Sequence, residues 1–345
     1  MRAGFEQIGY VVDTIWGKGE QRKRAIDVVK KNIESGIHYD FAYSESHTLP
    51  TFLTVRRYAP AYLFTDYSFF SLCQDAGIPL GLFYRDVHWR FDVYRQKISW
   101  FKYFVTVLFY HLDLLAYRQW VDVLFLPDMR MLRYVRFWPQ FKPAYALPSG
   151  CIGDIQDRPD THTNHLKLLY VGGVGTSLYD IRNLLEGVSY AVQQGVSVHL
   201  TICCRREEWA SRPPDYDQWS GSWLTIVHNA GEELRKLYQT HDIALIYSKS
   251  HPYRAFAMPF KLFEAIGAGL PLIVTGDTAV GDFVKQWDCG WVIDEHPLQL
   301  TELLHRLAEH RSEMEDKAKN VRRIQQQHTW TSRARQVVDV LAHAH

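Results

Sequence analysis

Met258-Pro-Phe-Lys-Leu-Phe-Glu-Ala-Ile-Gly-Ala-Gly-Leu-Pro-Leu-Ile-Val274 sets a helix carrying Lys261 and Glu264 just ahead of a Gly-Leu-Pro turn and an apolar strand. Pro259 suits the first helical position, where its missing N–H costs nothing. Free backbone amides at that helix start attract a phosphate, and Lys261 adds charge in the first turns. Glu264, three residues on, shares nearly the same face, where its carboxylate can take both hydroxyls of a ribose. Phosphate cradle and ribose carboxylate on one helix read as a nucleotide-sugar site. The alternative is an ordinary βα unit with a surface Lys–Glu pair.

Outward from this stretch, short apolar strands alternate with helical patterns, as in a parallel α/β sheet. Strands are expected over 166–171, 196–203, 223–228, 243–247, 272–275 and 290–293. Leu178, Ile181, Leu184, Leu185, Val188 and Val192 form one helical stripe among them. In the first half, strands are expected over 9–15, 37–42, 78–84, 121–126 and 143–147. Helices there are expected over 20–35, 66–76, 94–120 and 129–137. The run 148–164 is polar and rich in breakers, and reads as a linker. The resulting division is 1–148, a linker 149–165, a domain 166–330 and a terminal helix 331–345 that can cross back to the first domain. Two doubly wound halves would form a cleft at the C-terminal ends of their strands, the edge where such sheets bind ligands.

The 345 residues suit two domains, and 47% hydrophobic content suffices for two cores. A net charge of +1 gives no electrostatic case for nucleic acid. The N-terminus lacks the apolar segment of a signal peptide. Five cysteines without C-x-x-C spacing point to a reducing cytosol rather than a disulfide framework, and Cys203-Cys204 read as core. The chain has 11 Trp, 20 Tyr and 18 Phe, with the Tyr and Phe concentrated in the first 145 residues.

Further candidates follow from strand ends. Gly173, Val174 and Gly175 close the strand ending at Val171, where a backbone without Cβ atoms can approach a pyrophosphate. Arg205 follows the next strand and suits a second phosphate contact, ahead of Arg206. Val227, His228 and Asn229 end the strand after that, beside a nucleotide base. In the first half, Tyr84-Arg-Asp-Val-His-Trp-Arg90 sets charged and ionisable groups just past an apolar strand. Asp86 or His88 would act on an acceptor hydroxyl, and Arg85 would hold an anionic acceptor or the departing phosphate. The plainer alternative is a capping Asp with a surface His. Tyr43-Ser-Glu-Ser-His47 is a second candidate of the same kind.

Three motifs mislead. Gly173-x-Gly175-x-x-Leu178 lacks the third glycine of a dinucleotide fingerprint. Asp215-x-Asp217 resembles a pair of metal-binding carboxylates, but no apolar strand precedes it and a solvated turn is expected. His162-x-x-His165 has no third ligand nearby, so no metal is expected. The run 98–110 is apolar nearly all round but too short to span a bilayer. A buried helix is the first reading for it. An interfacial helix is the second, given Arg130, Arg133, Arg136 and Lys142 interleaved with Tyr134, Phe137, Trp138 and Phe141.

The second half resembles the donor domain of GT-B glycosyltransferases, especially the family 4 group (glycosyl transferases group 1). The resemblance runs through Leu168-Leu-Tyr-Val-Gly-Gly173, Glu232-Glu-Leu-Arg-Lys-Leu-Tyr238, Pro259-Phe-Lys-Leu-Phe-Glu264, Gly269-Leu-Pro271, Cys289-Gly-Trp-Val292 and His328-Thr-Trp330. It covers roughly residues 148–345, and extends more weakly into the first half through Ala76-Gly-Ile-Pro79. It implies a GT-B fold of two Rossmann-like domains. It also implies transfer of a sugar from a UDP- or GDP-type nucleotide sugar to a glycan or lipid-linked acceptor, in cell-surface polysaccharide synthesis. Retention of configuration, no metal and no cofactor beyond the nucleotide sugar are part of the same implication. Location would be cytoplasmic, at the inner face of the plasma membrane where a lipid-linked acceptor lies. A GT-B nucleotide-sugar epimerase and a catalytically silent GT-B partner subunit are the alternatives. One departure is plain. The family pattern has a carboxylate eight residues before Glu264, and this chain has Phe256; backbone amides around Ala257 and Met258 would serve instead. Such N-domains also open with a strand and a glycine-rich turn, whereas this chain opens on what looks like the end of the first helix. The first strand of the N-domain is therefore expected to be missing.

Overall fold

The computed structural model describes residues 1–54, 64–96, 98–152, 165–175, 178–247 and 249–343. The expected linker lies outside the described residues from 153 to 164, and His162 with it. The chain divides into two compact units, Met1–Pro148 with Thr331–His345, and Ser149–Trp330.

The first unit begins with α1 (Arg2–Gln7) and α2 (Gly19–Glu34), then β1 (Ala42–Glu45), α3 (Thr65–Asp75), β2 (Leu80–Phe83), α4 (Asp92–Arg95), α5 (Trp100–Trp120), β3 (Val123–Leu126) and β4 (Ala144–Ala146). Its four strands pair in parallel in the order β1-β2-β3-β4. All of Val123–Leu126 is buried, because helices cover a parallel sheet on both faces. The chain's last helix supplies Ala334, Val337 and Leu341, packed with Phe5, Val123, Phe125 and Leu147. Gly81 permits this closeness: a Cβ there would lie 2.8 Å from the Phe125 ring.

Several expectations for this unit need correction. Residues 9–15 form no strand: the chain runs from α1 to α2 without ladder pairing, with Val11 97% exposed. The strand expected over 37–42 begins only at Ala42. The helix expected over 94–120 is two helices, separated before the cap Ser99, and that over 129–137 is a short 3-10 turn, Met129–Tyr134. Nor is the run 98–110 a buried helix, since Trp100, Phe101, Phe104 and Leu108 are exposed.

β1 is an edge strand paired only with β2 among the described residues. Alternation along a parallel ladder turns the N–H groups of Tyr43 and Glu45 to the open side. A cavity of about 1270 Å³ borders that side, lined among others by Phe5, Tyr10, Ile26, Phe41 and Tyr43. Hydrogen exchange is expected to be at least about tenfold faster for the amides of β1 than for those of the central strand of the second unit. Equal protection would show that the open edge is covered in solution.

The second unit comprises β5 (Leu166–Val171), α6 (Arg182–Gln193), β6 (Val198–Cys203), α7 (Arg206–Ala210), β7 (Leu224–Val227), α8 (Gly231–Thr240), β8 (Ile243–Ile246), α9 (Phe260–Gly267), β9 (Leu272–Thr275), α10 (Ala279–Trp287), β10 (Gly290–Ile293), α11 (Pro297–Glu309) and α12 (Ser312–Gln325). Leu166, Leu168 and Tyr170 enter one core and Leu169 the other, the period-2 signature of a strand covered on both faces. Strand order is β10-β9-β8-β5-β6-β7. The chain thus winds from β5 to β7 in one direction, then returns to the other side of β5 with β8. This switch opens a crevice past the C-terminal ends of β5 and β8.

Candidate functional site

Past the end of β5, the backbone turns through Gly172, Gly173, Val174 and Gly175. The Tyr170 hydroxyl donates to Gly173 O (2.9 Å), and Gly175 N–H donates to Tyr179 O (2.9 Å). A Cβ at Gly173 would meet the Tyr179 ring at 2.8 Å, and one at Gly172 would come within 3.1 Å of the Lys261 ammonium. Glycine is required here because a side chain, a ring and a cation converge on the backbone.

The element quoted at the outset forms α9, with Pro259 as its N-cap, one position earlier than expected. Lys261 Nζ lies 4.9 Å over the Tyr170 ring. Burial of the ammonium, and next the charge of Arg254, push its pKa down to about 7, against the opposing pull of Glu264. Arg254 lies with its guanidinium 4.7 Å over the Tyr179 ring and donates to Leu178 O, while its Nε is buried without a hydrogen-bond partner. Two cations therefore sit beside a glycine turn at the sheet's switch point, and neither is neutralised by an ion pair with a described residue. Such an arrangement attracts a polyanion. Glu264, exposed, accepts from the Tyr238 hydroxyl (3.1 Å), which orients its carboxylate at the same helix.

Phe256, eight residues before Glu264, is core, edge-on to Tyr253 at 5.8 Å. Of the neighbouring amides, Ala257 N–H donates to Arg254 O (3.1 Å) and is engaged within its own turn. Met258 is partly buried against the core formed by α9. Arg205 caps α7 with a side chain 83% exposed, 3.8 Å from Glu208. Val227 ends β7, His228 Nδ1 lies 2.9 Å from Cys204 O, and Asn229 O accepts from Cys203 Sγ (3.4 Å). The structure thus brings Lys261 to the start of the glycine turn at Gly172, while Gly175 lies against Arg212 and Pro213 and the Arg205 side chain turns to solvent. Sequence reasoning missed Arg254, Tyr170, Tyr179 and Tyr238. The one available signal for Arg254 was its place after the end of β8.

In the first unit, the run after β2 is held by aromatic packing. Trp89 stacks on Tyr110 (4.8 Å between ring centres) and donates to the Tyr84 hydroxyl (3.2 Å). Asp86 does two things: Oδ1 accepts from His88 N–H (2.9 Å), and Oδ2 lies 3.1 Å from His88 Nδ1. The N-cap of the short turn that follows is Val87, so Asp86 closes a local side-chain turn rather than capping it, and that turn and the carboxylate–imidazole pair coexist. His88 Nε2 is 3.5 Å from the Tyr110 hydroxyl, whose own proton goes to Thr48 O (2.6 Å), so an Nδ1–H imidazole keeps its Nε2 lone pair. Arg85 donates to Glu45 Oε2 (3.0 Å), tying this run to the end of β1.

Asp215 and Asp217 are solvated turn residues paired with Arg182 and Arg212, respectively. Among the described residues, no group of three or more His, Cys, Asp or Glu side chains is arranged to hold a metal.

The model of the glycosyl transferase-like family matches residues 183–339, just under half of the chain. No curated protein matches it. Among solved structures, Anabaena Alr3699/HepE in complex with UDP aligns with a TM-score of 0.62 at 11% identity, over 92% of this chain and 82% of that one. WaaG, a glycosyltransferase involved in lipopolysaccharide biosynthesis, gives 0.56 at 15%, over 96% and 98%. A UDP-forming α,α-trehalose-phosphate synthase from Burkholderia vietnamiensis gives 0.58 at 9%, over 93% and 76%. At such identities the likeness is one of fold, and that fold, two parallel-sheet Rossmann-like units, is GT-B.

Proposed function

We propose that this chain, a glycosyltransferase of GT-B type, moves a sugar from a UDP- or GDP-type nucleotide sugar to a glycan or lipid-linked acceptor in cell-surface polysaccharide synthesis. It works with retention, without a metal, at the inner face of the plasma membrane. The observation that carries this reading is the Lys261–Arg254 pair beside Gly172 and Gly173, with Glu264 farther along α9. The pair takes the diphosphate; Glu264, exposed and held by the Tyr238 hydroxyl, takes the ribose hydroxyls. HepE with UDP and with UDP-glucose, and the UDP-forming synthase, favour uracil as the base.

In the transfer, the acceptor oxygen bonds to the sugar C1 on the same face from which the diphosphate departs, as the bond from C1 to the diphosphate breaks. The nucleoside diphosphate leaves with that electron pair. Lys261 and Arg254 stabilise the charge growing on it, where preorganised cations act most strongly. The acceptor proton passes to the Asp86–His88 pair, through the Nε2 lone pair.

Glu264→Ala is expected to weaken UDP binding by about 1–3 kcal/mol, the worth of charge-assisted hydrogen bonds lost from the ribose. Titration calorimetry with a panel of nucleotides measures this, and unchanged affinity in the variant would sink the assignment. Assaying donor hydrolysis and product formation across candidate acceptors separates a transferase from an epimerase and from a silent subunit.

A further inference from the structure

The helix α5 is built inside out for a helix facing water. Its 21 residues make it about 31 Å long. The face turned into the unit carries Thr106, Tyr110, Asp113, Leu114 and Tyr117, all buried. Asp113 accepts there from Thr51 N–H (2.9 Å) and from the Tyr67 hydroxyl, so that polar inner face is satisfied. The outer face carries Trp100, Phe101, Phe104, Leu108, Leu112 and Leu115, exposed by 80, 62, 65, 51, 39 and 45%, respectively. At 100° per residue these six fall within one third of the helix circumference. Scattered exposed apolar residues need no explanation, but a continuous stripe of this length marks a contact surface.

The surroundings say what the stripe contacts. Phe137 lies beside α5, with its ring 6.1 Å from that of His111, and it and Phe141 are 43% and 84% exposed. Lys142 is tied to the end of the helix through Arg118 O (3.0 Å) and Val121 O (2.7 Å). Lys102 and Arg118 on α5, and Arg133 and Arg136 just before Phe137 in the chain, are exposed. Between residues 93 and 121 the only acid is the buried Asp113, and between 129 and 147 there is none. A protein partner recognised by apolar packing would not call for this one-signed rim. Aromatic and aliphatic side chains ringed by Lys and Arg match an acyl–headgroup boundary carrying negative charge. No helix among the described residues is long and apolar enough to cross a membrane, which leaves α5 lying in the surface plane.

We infer that the outer face of α5, flanked by Phe137 and Phe141, seats this unit on an anionic lipid bilayer. The inference deepens the membrane contact proposed above and rests on that reading for its purpose: it sets the acceptor-side unit where a lipid-linked acceptor lies.

The test is flotation of the full chain with phosphatidylcholine vesicles, with and without phosphatidylglycerol, beside the double variant Phe104→Gln/Leu108→Gln. Both positions are exposed, and an unchanged melting temperature verifies that the variant folds. The wild-type chain is expected to float with anionic vesicles only, to be released by salt, and to lose at least about tenfold in partitioning on substitution. A second variant, Arg133→Glu/Arg136→Glu, is expected to lose binding to anionic vesicles while keeping its fold. A wild-type chain that stays unbound, or stripe variants that float equally well, would overturn the inference. So would a self-association in sedimentation velocity that the stripe variant abolishes, with no vesicle binding. UDP titration on the same samples reports separately on the glycosyltransferase reading, which stands or falls without the vesicles.

Discussion

Lys261→Met is expected to remove nearly all binding of a nucleoside diphosphate and, at the same time, to raise the melting temperature of the free protein. Both effects have one cause. The ammonium is held over the Tyr170 ring near Gly172, faced by Arg254 from the preceding loop and by Glu264 from its own helix. Its pKa falls from 10.5 to about 7, first because burial strips its water and then because Arg254 repels it. The unfolded chain keeps this proton up to about pH 10.5, whereas the folded chain releases it near pH 7. Across that window the unfolded state holds more protons, so stability rises with pH; at pH 7 and below the whole penalty is present. One pKa unit corresponds to about 1.4 kcal/mol, and for a partly buried group the penalty is on the order of 2–4 kcal/mol. Methionine fills similar space without it. A diphosphate reverses the balance, because paired charges are favourable where a lone one is not, and its loss from the variant should weaken UDP binding about 100-fold. Thermal melts at pH 6.5 and 9.5, with and without UDP, read all of this. The variant should be the more stable at the lower pH, with the gap narrowing at the higher one, and UDP should stabilise only the wild type. A variant that melts at or below the wild type at both values, or that binds UDP equally well, would show that Lys261 is an ordinary core-lining lysine.

The parts of the molecule most legible in the sequence are those where one physical demand acts alone. β9 and β5 match their expected bounds, because a strand covered on both faces reads as a largely apolar run between turn residues; β10 matches too, although it is an edge strand with only Trp291 buried. Lys261 and Glu264 were legible because helical spacing places them. What escaped was decided by tertiary context. Residues 9–15 have the composition of a strand, but a strand needs a partner edge, and here the segment lines the same cavity as β1 without joining its ladder. The run 98–110 is apolar on all sides, so periodicity could not say which face would turn inward; Asp113, fixed by Thr51 and Tyr67, decides it. Arg254 was invisible for a different reason. A loop arginine has no periodic signature, and only the fold brings it to Tyr179 and toward Lys261.

Asp86→Asn is expected to lower turnover about 10²–10⁴-fold, the span usual for a lost general base, while leaving UDP affinity within about twofold of the wild type. The substitution is nearly isosteric, and the amide oxygen can still accept from His88 N–H, the 2.9 Å bond that shapes the turn. What changes is the partner of the imidazole. A carboxylate 3.1 Å from Nδ1 favours the tautomer protonated there, leaving the Nε2 lone pair for the acceptor proton. An amide NH₂ at that place favours the opposite tautomer, with the proton on Nε2 and no base to offer. His88→Ala should lose about as much and should not add to the loss in the double variant, because two residues acting as one unit are not additive. The neighbouring packing gives a control. Trp89 and Tyr110 hold the turn whether or not the carboxylate is present, so the melting temperature should move little. Turnover that falls together with the melting temperature would mark Asp86 as a turn-shaping residue, and full activity in both single variants would place the base elsewhere.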